Sequence, residues 1–66
     1  MQPTKRETEV LHRLSRGYTI KEIAHELYLS PHTVITHCKN LRIKLKAKNC
    51  THMVAVAITE GIISMK

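Results

Sequence analysis

The sequence predicts an all-α fold, a compact four-helix domain, and three observations predict it. Apolar residues recur at helical spacing in four stretches, capping signatures precede the first three, and Gly17, Pro31 and Gly61 punctuate the pattern. A chain of 66 residues has room for one domain, 1–66, and none for an interdomain cleft. A domain of this size buries only about 60% of its unfolded surface, so its core is modest.

The first helix opens at Thr4-Lys5-Arg6-Glu7, an S/T-x-x-E capping box whose hydroxyl and carboxylate satisfy amide donors left free at a helix start. Val10, Leu11 and Leu14 line its inner face, and Gly17 stops it. The second opens on another box, Thr19-Ile20-Lys21-Glu22, and sets Ile20, Ile23, Ala24 and Leu27 along one stripe. Ser30 caps the third, with Pro31 at the first helical position, where a missing amide costs nothing. This helix, about residues 31 to 46, turns Val34, Cys38, Leu41 and Leu45 inward and His32, Ile35, Thr36, Lys39 and Arg42 outward. The last segment, Thr51 to Gly61, is β-branched enough for a strand, but a cap at Thr51 and a stop at Gly61 favour a helix.

Composition narrows the function. A net charge of +6 and a pI near 9.8 make polyanions the natural partners, and at 42% hydrophobic residues the chain is too apolar for a disordered basic tail. With no Phe or Trp and only Tyr18 and Tyr28, it lacks the aromatic platforms on which single-strand binders stack bases, which favours duplex DNA over RNA. Cys38 and Cys50 fit neither a disulfide framework nor paired C-x-x-C knuckles, so a reducing cytoplasm is the expected home. The apolar run from Met53 to Ile58 falls far short of the ~18 residues of a membrane span, so neither membrane insertion nor secretion is expected.

Metal and catalytic chemistry find no support in the spacing. His32, His37, Cys38, Cys50 and His52 are the conceivable zinc ligands, but His32 and His37 point about 140° apart on an ideal helix. Cys38 reads instead as a small core residue. There is no Cys-His pair with an obvious orienting acid and no glycine-rich phosphate loop, so no catalytic residue, cofactor or enzyme activity is expected.

Charge is unevenly placed. Lys5, Arg6, Arg13, Arg16 and Lys21 are nearly balanced by Glu7, Glu9, Glu22 and Glu26, whereas residues 27 to 59 carry Lys39, Arg42, Lys44, Lys46 and Lys48 with no acid. Most of the positive field therefore coincides with the third helix and its exit. The second and third helices, joined by a tight turn, form a helix-turn-helix, the motif that lays its second member in the major groove.

The residues resemble one family in register along nearly the whole chain. Thr4-x-Arg6-Glu7-x-Glu9-Val10-Leu11, Gly17-Tyr18-Thr19-x-Lys21-Glu22-Ile23-Ala24-x-x-Leu27, Leu29-Ser30-x-x-Thr33-Val34-x-x-His37, Lys44-Leu45 and Thr51-x-x-Val54-x-x-Ala57-x-x-x-Gly61-Ile62-Ile63 are similar to the LuxR/GerE-type DNA-binding domain of bacterial transcription regulators. The promoter-reading helix-turn-helix of sigma factors matches the second and third helices about as well, but the first and last less so. The resemblance implies sequence-specific DNA binding in transcription regulation, with the third helix in the major groove and a homodimer formed through the fourth helix on an inverted repeat. It also implies a place at the C-terminal end of a longer response regulator or quorum-sensing regulator, with RNA polymerase as a further partner.

Under that resemblance, base-edge reading falls on Ile35, Thr36 and Lys39. Phosphate contact falls on Lys21, Ser30, Thr33, Asn40 and Lys44, and His37 either touches phosphate or packs. The fourth helix is apolar more than halfway round; either scattered apolar residues are simply exposed, or Met53 and Val56 make a dimer contact. Four departures stand out: Ile35 where the family has lysine, Lys46 where it has glycine, Cys50 where it has arginine, and Pro3 where it has leucine. A competing class of function is a basic helical protein–protein interaction module that binds an acidic partner without reading DNA.

Overall fold

A computed structural model describes residues 3–64 and contains four helices: α1 (Lys5–Ser15), α2 (Ile20–Leu27), α3 (Pro31–Lys44) and α4 (Cys50–Thr59). The helical reading of the last segment holds, and among the described residues there is no strand. α1 packs against the other three helices, and α3 packs against α2 and α4.

Both capping boxes form. The Thr4 hydroxyl accepts from the Glu7 amide at 3.1 Å while the Glu7 carboxylate accepts from the Thr4 amide at 2.9 Å. Thr19 and Glu22 repeat the exchange at 3.2 and 2.8 Å. Ser30 caps α3 by accepting from the Thr33 amide at 3.1 Å, with Pro31 at the first turn. After α1, Gly17 takes φ +89°, a left-handed value open to glycine, and the Gly17 and Tyr18 amides close onto Leu14 and Arg13 carbonyls.

Two boundaries differ from the sequence reading. α3 ends at Lys44 rather than near residue 46, because Lys46 adopts φ +54° and leaves the helix; the glycine that the family places here has a conformational reason. α4 begins one residue before Thr51, and its cap is Asn49, whose side chain accepts from the His52 amide at 2.8 Å. The His52 imidazole in turn accepts from the Lys48 amide at 3.0 Å, so α4 starts on a box-like exchange that lacks the S/T-x-x-E form.

The core has two lobes. Val10, Ile23, Ala24, Leu27, Val34 and Cys38 join α1, α2 and α3. Leu11, Leu41, Met53, Ala57 and Ile63 join α1, α3 and α4. Adjacent residues Val10 and Leu11 therefore serve different lobes, which makes α1 the shared wall, and α3 reaches both through Val34, Cys38 and Leu41.

The apolar excess of α4 goes mostly inward. Val54 and Ile58 pack on the second lobe, and Met53 is completely buried in it. A dimer contact at Met53 is thus corrected: a side chain with no exposed surface cannot meet a second copy. Val56 stays half-buried, flanked on the outside by His52, Ala55 and Thr59. Pro3 lines a shallow groove with Ile62 and Ile63, where the core edge is open.

Candidate nucleic-acid interface

Packing decides which side of α3 is offered to solvent. Burial of Val34, Cys38 and Leu41 leaves His32, Ile35, Thr36, Lys39, Asn40 and Arg42 exposed in front of it. Ile35 keeps 52% of its surface exposed, and Ile43, farther along α3, keeps 62%. Lys21 is exposed in the first turn of α2, and Ser30 and half-buried Thr33 stand at the start of α3. The structure therefore brings Ser30, Thr33, Ile35, Thr36, Lys39 and Asn40 together along one element.

Hydrogen bonding shapes what this face can do. The Ser30 and Thr33 hydroxyls lie 2.9 Å apart, so one donates to the other and the pair is held in place at the α3 N-terminus. A helix start carries unsatisfied amides and the positive end of the dipole, a setting that favours phosphate. Thr36 donates its hydroxyl proton to the His32 carbonyl at 3.1 Å. With that proton committed, the Thr36 oxygen faces outward as an acceptor beside its methyl group, suited to an exocyclic amine or a thymine methyl.

The cations divide into two kinds. Among the described residues, the ion pairs are Arg6–Glu9 at 3.3 Å, Arg13–Glu26 at 2.9 Å and Lys44–Glu7 at 2.7 Å. None of them involves Lys39, Arg42, Lys46 or Lys48, all of which are exposed. None of the four is held by a carboxylate at ion-pair distance, although Glu60 lines the same groove as Lys46. Lys44, although close to them in sequence, turns inward and retains 19% of its side-chain exposure against a Glu7 side chain of 5%.

The Lys44 phosphate contact is accordingly corrected. Its ammonium is committed to Glu7, whose Oε1 also accepts from the Thr4 amide, so a single carboxylate oxygen caps α1 and ties it to the end of α3. Burial of Glu7 works against its ionisation. The hydrogen bonds from Lys44 and the Thr4 amide, with the positive charges of Lys44 and His37, outweigh that burial and hold the carboxyl below its ordinary value. His37, half-buried on α3, stands close enough to Glu7 to act on its carboxyl electrostatically.

Two signals explain what sequence reasoning missed. Glu7 stands three and four residues before Val10 and Leu11, on the same stripe, so its inward position was legible; its partner, 37 residues away, was not. Arg42 lay on the predicted outward face without a role, and its exposure and freedom from acids place it with Lys39. Cys38 is buried, and desolvation, with Cys50 nearby, pushes its thiol up to about 11, whereas Cys50 is exposed at the first position of α4. Among the described residues no three His, Cys, Asp or Glu side chains are grouped as a metal site, and no helix is long and apolar enough to cross a membrane.

Known proteins place this geometry. Residues 2–57 match the family described as bacterial regulatory proteins, luxR family. The transcriptional regulatory protein FixJ of Rhizobium meliloti is 40% identical over 58 residues, 88% of this chain and 28% of FixJ. The quorum sensing-dependent regulator VjbR of Brucella ovis is 42% identical over 62 residues, 94% of this chain and 24% of VjbR. The solved structure of the transcription factor GerE superposes with a TM-score of 0.92 at 30% identity, covering 96% of this chain and 94% of GerE. The chain spans about a quarter of the length of the curated relatives it matches. That family is one of transcription regulators rather than enzymes. With four helices, an exposed basic third helix and these relatives, the chain belongs to the luxR family of bacterial regulatory proteins and is its DNA-binding helix-turn-helix domain.

Proposed function

We propose that this domain reads a specific duplex DNA sequence by placing the N-terminal half of α3 in the major groove. The observation that carries the reading is the coincidence of Ile35, Thr36 and Lys39, all exposed, with exposed cations that form no ion pair. Lys39 donates to guanine O6 or N7, Thr36 accepts from a base amine or touches a thymine methyl, and Ile35 supplies apolar contact alone. Ser30 and Thr33 hold a phosphate at the helix start, while Lys21, Asn40 and Arg42 flank it along the backbone. The substitution of isoleucine for the family's lysine at position 35 removes one donor from the groove, so the preferred site differs from that of lysine-bearing relatives.

The domain binds as a dimer through the outer face of α4, with Val56 and Ala55 at the contact, and works as the DNA-reading part of a longer regulator. An inverted repeat follows from two-fold symmetry. Selection from a random duplex library at moderate salt tests these statements together. Two inverted half-sites support reading and dimerisation, and a single enriched half-site removes the dimer. Binding without enrichment reduces α3 to a phosphate binder. No binding to any duplex moves the function to an interaction module for an acidic protein.

A further inference from the structure

Tyr28 occupies the turn between α2 and α3 with φ 58° and ψ 41°, the left-handed region. Tight helix ends use this conformation because it lets following amides return to the last turn, as the Leu29 amide does to the Ala24 carbonyl at 2.9 Å. Glycine or asparagine adopts it at low cost, whereas a residue with an aromatic Cβ substituent does not. Strain of this kind is commonly offset by packing, but Tyr28 is 95% exposed and its ring has no core to join. The fold thus carries a tyrosine in a strained backbone conformation whose ring is almost wholly exposed. Strain held where packing does not require it points to a binding role.

The position says what it meets. Tyr28 closes α2 just ahead of Ser30, so it borders the hydroxyl pair at the α3 N-terminus, and Leu27 and Leu29 on either side are held by the first core lobe. Glu26, the nearest acid in sequence, is paired with Arg13 at 2.9 Å, so its charge is met within the fold. We propose that Tyr28 is a DNA-backbone contact at the edge of the site, its phenol hydroxyl donating to a phosphate oxygen outside the span of α3. This inference rests on the DNA-reading function and extends its footprint to the turn. Tyrosine hydroxyls serve in this way among phosphate-contacting groups.

A neutral donor leaves a particular signature. It strengthens binding without displacing a counterion, so its loss weakens affinity while leaving the dependence of log K on log salt unchanged. The test compares the wild-type domain, Tyr28→Asn and Tyr28→Phe on the duplex that library selection returns, with urea denaturation of each protein. Asparagine tolerates the left-handed turn, so Tyr28→Asn is expected to be at least as stable as wild type yet to bind about tenfold more weakly at an unchanged salt slope. Tyr28→Phe is expected to lose most of the same affinity.

Equal binding by wild type and Tyr28→Asn overturns the proposal and spares the DNA function. Full affinity in Tyr28→Phe overturns the hydroxyl donor. A lower denaturation midpoint for Tyr28→Asn makes the tyrosine structural and overturns the proposal too. If the wild type itself binds no duplex, the failure lies in the DNA-reading function, and the proposal falls with it.

Discussion

Replacing Lys44 with methionine tests whether the most basic stretch of the chain is wholly given to DNA. Methionine keeps the aliphatic stem and removes the ammonium, which leaves the Glu7 carboxylate 5% exposed with the Thr4 amide as its remaining donor. Removing one partner of a buried ion pair costs about 3 to 5 kcal/mol, because the survivor is left charged and unsolvated. Lys44 retains some solvent access, which favours the lower figure of about 3 kcal/mol. A chain of this length has a total stability of about 3 to 10 kcal/mol, so the loss is a large fraction of it. With a urea slope of about 1 kcal/mol/M, the midpoint should fall by roughly 3 M in denaturation followed by circular dichroism. Glu7→Gln preserves the capping box, and the double variant should recover part of the loss because no buried charge remains. If Lys44→Met instead costs under about 1 kcal/mol and weakens duplex binding as an outward lysine would, the inward pairing is wrong.

The same carboxylate predicts an acid limb. Glu7 has a lower pKa folded than unfolded, so between those two values the unfolded chain binds more protons and stability rises with pH. Its contribution is complete above the ordinary carboxylate value of about 4.3 and fades as pH falls through the folded value. Glu7→Gln should flatten that limb.

Other consequences are independent of this pair. Lys39→Ala should weaken binding to the selected site by about 1 to 3 kcal/mol and relax one base position, whereas Arg42→Ala should weaken all sequences alike and flatten the salt slope by about one; equal losses on specific and random duplex would merge their roles. Lys46→Gly should raise stability by about 1 kcal/mol, seen as roughly 4 to 8 °C in melting temperature, because φ +54° strains lysine and suits glycine. An unchanged melting temperature would show that the left-handed turn is not held. An alkylating reagent at neutral pH should label Cys50 and spare Cys38, which is buried with its thiol at about 11, until denaturant is added; simultaneous labelling would place Cys38 at the surface.

What the sequence made legible was local. Capping boxes at Thr4 and Thr19, the Ser30-Pro31 start and the inward stripe of α3 are each written within a few residues, and each forms. The α4 cap was misplaced because Asn49 and His52 cap through an amide oxygen and an imidazole, a pairing outside the Ser/Thr and Glu pattern. Met53 was misread because one helix's periodicity cannot say how wide a stripe its neighbours will cover; Leu11 and Leu41 close over it from α1 and α3. Lys44 failed for the same reason in electrostatic form. Its inward face follows from its spacing after Leu41, but the acid that makes burial tolerable comes from the first turn of the chain.

That correction changes what the basic helix can do in bulk. Lys39, Arg42, Lys44, Lys46 and Lys48 look alike in sequence, yet the fold withdraws Lys44, leaving four exposed cations on α3 and its exit. With Lys39 given to bases in the proposed reading, at most three remain for phosphates, joined by Lys21, which is exposed on α2. Four phosphate contacts release counterions with a slope of log K against log salt near −3.6 for one protomer, and two protomers on an inverted repeat near −7. Titrations of the selected duplex across salt concentrations distinguish the two, since the difference is several powers of ten in affinity over the accessible range. A slope near −3.6 on a full inverted repeat would mean that the second copy does not bind, and that the outer face of α4, now reduced to Val56 with His52, Ala55 and Thr59 around it, is too slight to hold a dimer together. A slope near −7 would mean that DNA assembles what α4 alone secures weakly, because two half-sites on one duplex raise the effective concentration of the second protomer.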